Sequence, residues 1–198
     1  VFTNCLFAGN QCAHGGAAYF KGNTTLINCT FSGNNANGNG GAMYISNGQT
    51  INIRNSIFWN NQSTFGIGNS QAFFQIEGGS TANINVFDSD IEGSGGSGSW
   101  NVQYGTDGGG NIDADPNFAN QVSPSLAPDM TGNYRPQPTS PVFDAGLNSH
   151  NTSFNDLDKH PRVHNGTIDM GCYEFCSTYS SQAVTVCDQL ISPSGKYT

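Results

Sequence analysis

Two acidic residues, Asp88 and Asp90, have the type and spacing that polysaccharide chemistry uses. On a straight strand, side chains two residues apart share a face and lie roughly 6.5 to 7 Å apart, near the carboxylate separation of an inverting glycosidase. Asp88 also occupies a repeat position that elsewhere carries Asn, which favours a role in a chain corner instead. Asp88 and Asp90 are therefore the catalytic candidates of this sequence, and a structural role is the alternative.

A second group of acidic residues lies in the C-terminal half of the chain. Carboxylate oxygens are the ligands that calcium prefers, and the candidates are Asp113, Asp115, Asp156, Asp158 and Asp169. No twelve-residue calcium loop surrounds them, so the alternative is that each Asp accepts hydrogen bonds from nearby backbone N–H groups. The histidines have no partner at zinc-site spacing. The sequence requires no cofactor, and calcium is the one that it could accommodate.

Three aromatic residues are candidates for stacking on sugar rings: Trp59, Trp100 and Tyr104. Asn-rich flanks would supply hydrogen bonds to hydroxyl groups. The alternative is that Trp59 covers a corner of the chain and that Trp100 anchors a long loop, because Trp side chains are usually largely buried.

Composition excludes several classes of function. The 198 residues include 26 Gly, and 14 acidic residues against 6 Lys and Arg give a formal net charge of -8. Binding to nucleic acid depends on clustered cations, so we expect no nucleic-acid partner. No apolar run approaches the ~20 residues of a membrane span, so none is predicted.

The elements that must position these residues come from an internal repeat. The segment 2–10 recurs at 26–34, at 53–61 and, in degenerate form, at 86–93. A second motif lies at 15–20, at 40–45 and, more weakly, at 70–75. Because the repeat length grows along the chain, we expect successive coils to share a core and to differ in their loops.

The spacing within each copy requires a bend. Leu26 and Phe31 are both apolar but five residues apart, an odd offset that would send them to opposite faces of one straight strand. The Asn of the motif suits a left-handed corner between them. The pattern predicts an all-β parallel β-helix, with a β-sandwich as the rival. Four columns of equivalent residues are expected to stack: Phe2/Leu26/Ile53/Val86, Phe7/Phe31/Phe58/Ile91, Ala17/Ala42/Ala72 and Tyr19/Tyr44/Phe74; the corner column is Asn4, Asn28, Asn55 and Asp88.

Three regions follow from this pattern. Residues 1–110 are predicted to form the coils, with 94–110 a Gly-rich excursion or loosened coil. Residues 111–175 contain seven prolines and are predicted to be an irregular cap over the open end of the stack. Residues 176–198 return to alternation and are predicted to begin a further, truncated β module. Cys5 and Cys29 share a column and are either a stack of reduced thiols or a disulfide.

The motifs resemble those of known surface proteins. The FxGN and GGAxY/F pairs are similar to the right-handed β-helix repeats of polymorphic outer-membrane proteins. The segments 110–118, 133–146 and 167–175 resemble the C-terminal signature of choice-of-anchor Q surface proteins, except that Cys172 stands where that signature usually has Ala. The resemblance implies a right-handed β-helix and an extracellular or cell-surface location, with no activity common to the family.

Two expectations follow from an exported setting. Cys176 and Cys187 are expected to form a disulfide, because their short tail has too little chain to build a core. The predicted function is a noncatalytic, adhesin-like surface segment that binds carbohydrate or a surface protein. The alternative function is a polysaccharide lyase or glycoside hydrolase on the same scaffold.

Overall fold

The computed structural model describes residues 1–63, 81–164 and 166–175, together with the backbone of two short strands at 178–179 and 184–185. The fold is all-β, as predicted. Its helices in the described part are single 3-10 turns at Val102–Tyr104, Pro124–Leu126 and Asn148–His150. Nowhere in the described ranges is a helix long and apolar enough to cross a membrane.

The strands are short, and most of those in the first half belong to the repeat. They are β1 Phe2–Thr3, β2 Leu6–Ala8, β3 Gln11–Cys12, β4 Ala18–Phe20, β5 Thr24–Ile27, β6 Thr30–Ser32, β7 Asn35–Ala36, β8 Met43–Ile45, β9 Thr50–Arg54, β10 Ile57–Trp59, β11 Gln62–Ser63, β12 Asn83–Phe87, β13 Asp90–Ile91 and β14 Thr106–Asp107. Those of the second half are β15 Phe118–Asn120, β16 Asn133–Pro136, β17 Val163–His164, β18 Thr167–Ile168, β19 Thr178–Tyr179 and β20 Val184–Thr185.

Equivalent strands of successive copies pair in parallel. The sheet orders are β1-β5-β9-β12-β14, β13-β10-β6-β2, β11-β7-β3 and β4-β8. The remaining pairs, β15 with β16, β17 with β18 and β19 with β20, are antiparallel. Parallel neighbours cannot be joined by hairpins, so this pairing excludes the meandering sandwich for the repeat region.

The register confirms two predicted columns. Phe2 pairs with Leu26, Leu26 with Ile53, and Ile53 with Val86. The second column is in register in the same way, and its members are Phe7, Phe31, Phe58 and Ile91. Tyr19 pairs with Tyr44, whereas Ala72 and Phe74 lie outside the described residues.

The second column forms the centre of the core. The Phe7 and Phe31 rings stack with centroids 4.3 Å apart, and the Phe31 and Phe58 rings follow at 4.5 Å. Phe31 and Phe58 are fully buried. Burying each ring contributes on the order of 2 to 3 kcal/mol, so this stack is a main source of stability.

A ladder of asparagine side chains runs beside the Phe stack, at the last position of the FxGN motif. Asn34 Nδ2 donates to Asn61 Oδ1 at 2.8 Å, and Asn10 Nδ2 donates to Asn34 Oδ1 at 2.9 Å. Asn34 and Asn61 also donate to the backbone carbonyls of Phe7 and Phe31, at 2.8 and 2.9 Å. The sequence shows these residues as part of a motif but not that their amides join one repeat copy to the next.

The corner column has the expected backbone conformation. The φ angles are 52° at Asn4, 52° at Asn28, 46° at Asn55 and 45° at Asp88. Left-handed conformations cost L-residues free energy, and Asn and Asp tolerate them best after Gly. The type of residue in this column is therefore set by the backbone.

Pairing continues beyond the last copy that the sequence shows. Thr106 and Asp107 of β14 pair with Asn85 and Val86 of β12, and Ile112 bridges Asp90 in parallel. The segment 106–112 thus adds a strand to the five-stranded sheet and a bridge to the four-stranded sheet. This segment carries no Phe of the motif, which is why the sequence pattern stops short of it.

The segment after residue 111 contacts the side of the four-stranded sheet. Val142, Met170 and Cys172 share a buried hydrophobic cluster with Ile57 of β10, and Leu6 of β2 packs against this cluster. The Cys172 backbone N–H donates to Thr30 Oγ1 at 3.1 Å. The segment therefore contacts β2, β6 and β10 along the side of this sheet, in addition to the last repeat copy. The sequence predicted a cap over the open end of the stack. The physical reason is that this sheet has apolar residues on its outer face, which must be buried.

Candidate functional site

The outer face of the five-stranded sheet carries a row of polar side chains. In β9 and β12, Ile51, Ile53, Ile84 and Val86 are buried, whereas the residues between them are partly or fully exposed. This alternation has the period of two that a half-buried strand requires. We call the central outward set the polar row, and its members are Thr25, Asn52, Asn85 and Thr106.

The polar row is in register across four strands. Thr25 pairs with Asn52, Asn52 with Asn85, and Asn85 with Thr106. Asn85 Nδ2 donates to Asn52 Oδ1 at 3.1 Å, which aligns the two amides. Neighbouring strands lie roughly 4.8 Å apart, so the row presents amide and hydroxyl groups at a regular interval. Such groups exchange hydrogen bonds with hydroxyls and amides of a ligand without charge attraction.

A second outward pair, Thr50 and Asn83, lies beside the polar row and is also in register. On its other side, Arg54 packs over the Phe87 ring, with 5.6 Å from Cζ to the ring centroid. The described outer face is thus neutral in its centre, with one cation at its border.

The two catalytic candidates, Asp88 and Asp90, have different surroundings. Asp88 is at the left-handed corner between β12 and β13, so the spacing rule for a straight strand does not apply. Asp88 Oδ2 lies 3.1 Å from His150 Nδ1. Asp90 is fully buried, and its Oδ1 accepts the Ala114 N–H at 3.1 Å.

Burial shifts the pKa of both carboxyl groups. It raises the pKa of Asp90 well above its usual value. It also raises the pKa of Asp88, although His150 opposes the shift. A fully buried carboxyl group cannot touch a polysaccharide at the surface. The corner at Asp88 removes the straight-strand spacing from which the same-face pair was predicted.

The first acids proposed for calcium accept backbone hydrogen bonds. Asp113 accepts the N–H groups of Gly93 and Gly95 at 3.0 and 2.8 Å. Asp115 Oδ1 accepts the Asn117 N–H at 2.9 Å. Both residues thus stabilise turns, which is the alternative that the sequence left open.

The other three acids are separated into two environments. Asp158 forms a bidentate pair with Arg135 at 2.6 Å. Asp156 accepts the backbone N–H groups of His160 and Glu174. Asp169 accepts those of Asp144 and Phe175. Across the described ranges, no three His, Cys, Asp or Glu residues are placed to hold a metal ion together.

The aromatic candidates mainly serve packing. Tyr104 is only 4% exposed, which leaves no open ring face on which a sugar could stack. Trp100 is partly buried against the core, and its Nε1 donates to the Gly105 carbonyl at 2.9 Å. Trp59 packs in the cluster around Ile57. The sequence did not single out Phe154, which is 96% exposed.

Sequence reasoning also missed a buried charged network in the C-terminal segment. Arg162 is fully buried; its Nη2 donates to the Asp169 carbonyl at 2.9 Å, and its Nε lies 3.4 Å from Glu174 Oε2. Glu174 Oε1 accepts the Asp169 N–H at 2.8 Å. Burial raises the pKa of Glu174 to about 9 and that of Asp169 to about 6. The network connects Arg162 to 169–175, and Arg162, Asp169 and Glu174 are all buried.

The cysteines divide into two groups. Cys5, Cys12, Cys29 and Cys172 are free thiols, so the Cys5–Cys29 column is a stack of reduced thiols in this structure. Cys176 and Cys187 lie outside the described residues, and their disulfide stays a prediction.

Comparisons of the chain with protein-family models, with curated proteins and with solved structures gave no match.

Proposed function

We propose that residues 1–63 and 81–112 form a right-handed parallel β-helix. The support is that each parallel sheet takes one strand from each successive copy, in order and in register. Crossovers between parallel strands of one sheet are right-handed in nearly all known cases. The left-handed corners at equivalent residues supply the repeated bend that such coils need.

We further propose that the chain is a noncatalytic binding segment of an exported surface protein and that its ligand is an extended, neutral carbohydrate. The single observation that carries this proposal is the polar row, Thr25–Asn52–Asn85–Thr106, in register on an outward sheet face. Amides and hydroxyls are the groups that match sugar hydroxyls, and a row of equal steps suits a polymer of equal units.

The scaffold favours binding of this kind because it is rigid. The polar row lies on strands whose inner residues, Ile51, Ile53, Ile84 and Val86, are almost completely buried. Side chains held in place before binding lose less conformational entropy when the ligand arrives. A net charge of -8 disfavours anionic polymers, which is why a neutral glycan is proposed.

Binding without turnover agrees with the surroundings of the acids. Glycoside hydrolysis needs an acid and a base that flank the bond to be cleaved. Asp90 is buried, and Asp88 faces His150. The runner-up function, a lyase or hydrolase, therefore has no observation in its favour from this pair.

The test is binding of the chain to a panel of neutral and acidic polysaccharides, by glycan array and then by calorimetry. The variant Asn52→Val/Asn85→Val retains strand propensity and removes both amides of the polar row. Each lost hydrogen bond should weaken binding about 10-fold. Asn120→Val, at an exposed position of β15, is the matched control and should bind normally.

Three outcomes would contradict the proposal. They are equal binding by the double variant and the control, binding of a protein partner but of no glycan, and release of new reducing ends or unsaturated products. Unchanged thermal unfolding of the double variant is required, so that loss of binding is not loss of fold.

A further inference from the structure

Cys5 and Cys29 occupy equivalent positions in the first two coils, one residue after the corner. The backbone is paired on both sides of them: Asn4 N–H donates to Ile27 O at 3.0 Å, and Thr30 N–H donates to Cys5 O at 2.9 Å. Paired strands lie roughly 4.8 Å apart, and disulfides need Cα atoms roughly 4.4 to 6.8 Å apart. The backbone of the two cysteines thus meets the distance requirement for a disulfide.

The two thiols have the same orientation. Cys5 Sγ donates to the Thr3 carbonyl at 3.3 Å, and Cys29 Sγ donates to the Ile27 carbonyl at 3.3 Å. Each thiol therefore contacts the carbonyl two residues before it. The two thiols also contact each other through a side-chain hydrogen bond.

The next two coils show what this column needs structurally. Ser56 Oγ donates to Arg54 O at 2.8 Å, and Ser89 Oγ donates to Phe87 O at 2.7 Å, in each case again two residues back. A hydroxyl group can therefore make the hydrogen bond to the carbonyl two residues back that this position requires. The two thiols add the one property that serine lacks, which is the ability to form a covalent bond with each other.

The environments of the two thiols differ in a useful way. Cys5 is partly exposed, whereas Cys29 is fully buried. The hydrogen bond with Cys29 lowers the pKa of Cys5 to about 6, against an opposing effect of burial. The same contact and burial raise the pKa of Cys29. A thiolate is the attacking species in disulfide exchange, so Cys5 is the residue that a reagent from solution would meet first.

We propose that Cys5 and Cys29 form a redox-active pair that closes to a disulfide between the first two coils by exchange with a small disulfide such as oxidised glutathione. The Cys5 thiolate attacks one glutathione sulfur, breaks the glutathione disulfide and releases one glutathione thiolate, which takes up a proton. Once Cys5 is part of the mixed disulfide, its thiolate charge no longer opposes ionisation of Cys29. The Cys29 sulfur then attacks the Cys5 sulfur, and its proton passes to the departing glutathione sulfur. This step forms the protein disulfide and releases the second glutathione, so two protein thiols are oxidised and one glutathione disulfide is reduced.

Burial of Cys29 does not prevent this second step. Its target is the sulfur of Cys5, with which it is already in contact, so glutathione need not reach Cys29. The bond would close a loop of 24 residues, the spacing between the two equivalent positions.

The test is incubation of the full chain, carrying Cys12→Ser, with oxidised glutathione, followed by digestion without reduction and mass analysis. Cys12 is exposed and is removed because it would compete. We expect a cross-linked peptide pair containing Cys5 and Cys29, two hydrogen atoms lighter than the separate peptides. The midpoint of thermal unfolding should rise by roughly 5 to 10 °C and fall back after reduction.

The matched controls use the serine that the column already accepts. With Cys29→Ser the reaction should stop at a glutathione adduct on Cys5, and with Cys5→Ser the thiol of Cys29 should stay unmodified. Each variant must unfold cooperatively for its result to count. If a variant does not, the reactivity of Cys5 and Cys29 is measured instead in the parent chain, by differential alkylation before and after oxidation. The proposal is overturned if the parent chain accumulates only the adduct, if Cys5 links to another cysteine, or if both thiols remain reduced.

Discussion

Replacement of Asn34 by Ala tests whether the buried asparagine ladder holds neighbouring coils together. The Asn34 side chain is fully buried and takes part in four hydrogen bonds. It donates to Phe7 O and Asn61 Oδ1, and it accepts from the backbone and side-chain nitrogens of Asn10. Each such bond contributes about 1 kcal/mol net, so we expect the free energy of unfolding to fall by about 3 to 5 kcal/mol.

The control is Asn10→Ala, at the exposed end of the same ladder. The Asn10 amide donates to Asn34 Oδ1 and to Ala8 O. Because Asn10 is exposed, water can donate these hydrogen bonds when the amide is removed. We expect a loss of about 1 kcal/mol or less. Asn34→Asp is a second variant, because it keeps the shape but places a carboxylate oxygen against Phe7 O and Asn61 Oδ1. It should destabilise more than Asn34→Ala at neutral pH.

The assay is urea unfolding followed by circular dichroism, with the free energy obtained by linear extrapolation. The reasoning would be refuted if Asn34→Ala and Asn10→Ala differed by less than about 1 kcal/mol. In that case the ladder would be a consequence of the stacked coils and would not stabilise them.

Two further predictions concern the C-terminal segment. Burial raises the pKa of Glu174 from 4.5 to about 9, so the folded chain keeps a proton that the unfolded chain releases, and stability should fall as pH rises between these values. Glu174→Gln should flatten that fall in a series of melting curves; an unchanged slope would contradict the assignment. At Gly171, where φ is 92°, an added Cβ would lie 2.7 Å from Ile57 Cδ1 and 2.8 Å from Thr30 Oγ1. Gly171→Ala should therefore cost about 3 kcal/mol or more in chemical unfolding. Gly166→Ala is its control, because φ is 95° there but nothing lies within 4 Å, and equal losses would show that backbone strain alone is responsible.

The repeat by itself determined the strand columns and their corners. Phe7, Phe31 and Phe58 recur in one sequence context, and residues of one type in one order stack when coils are in register. Asn28 and its equivalents could be placed at a left-handed corner because few residue types tolerate that conformation. Both inferences rest on local chemistry that each copy repeats.

Only the tertiary structure decided which outer faces are covered. The outward residues of β9 alternate with its core residues in the sequence, so the polar row could be seen as outward but not as open to a ligand. The outer face of the four-stranded sheet is instead buried by a segment from far along the chain. The Cys172 backbone N–H donates a hydrogen bond to Thr30 Oγ1, which lies 142 residues away in sequence. The same is true of Asp90, whose burial depends on the chain around Ala114. Contacts between such distant segments depend on how the whole chain packs, and no local pattern of residue types encodes them.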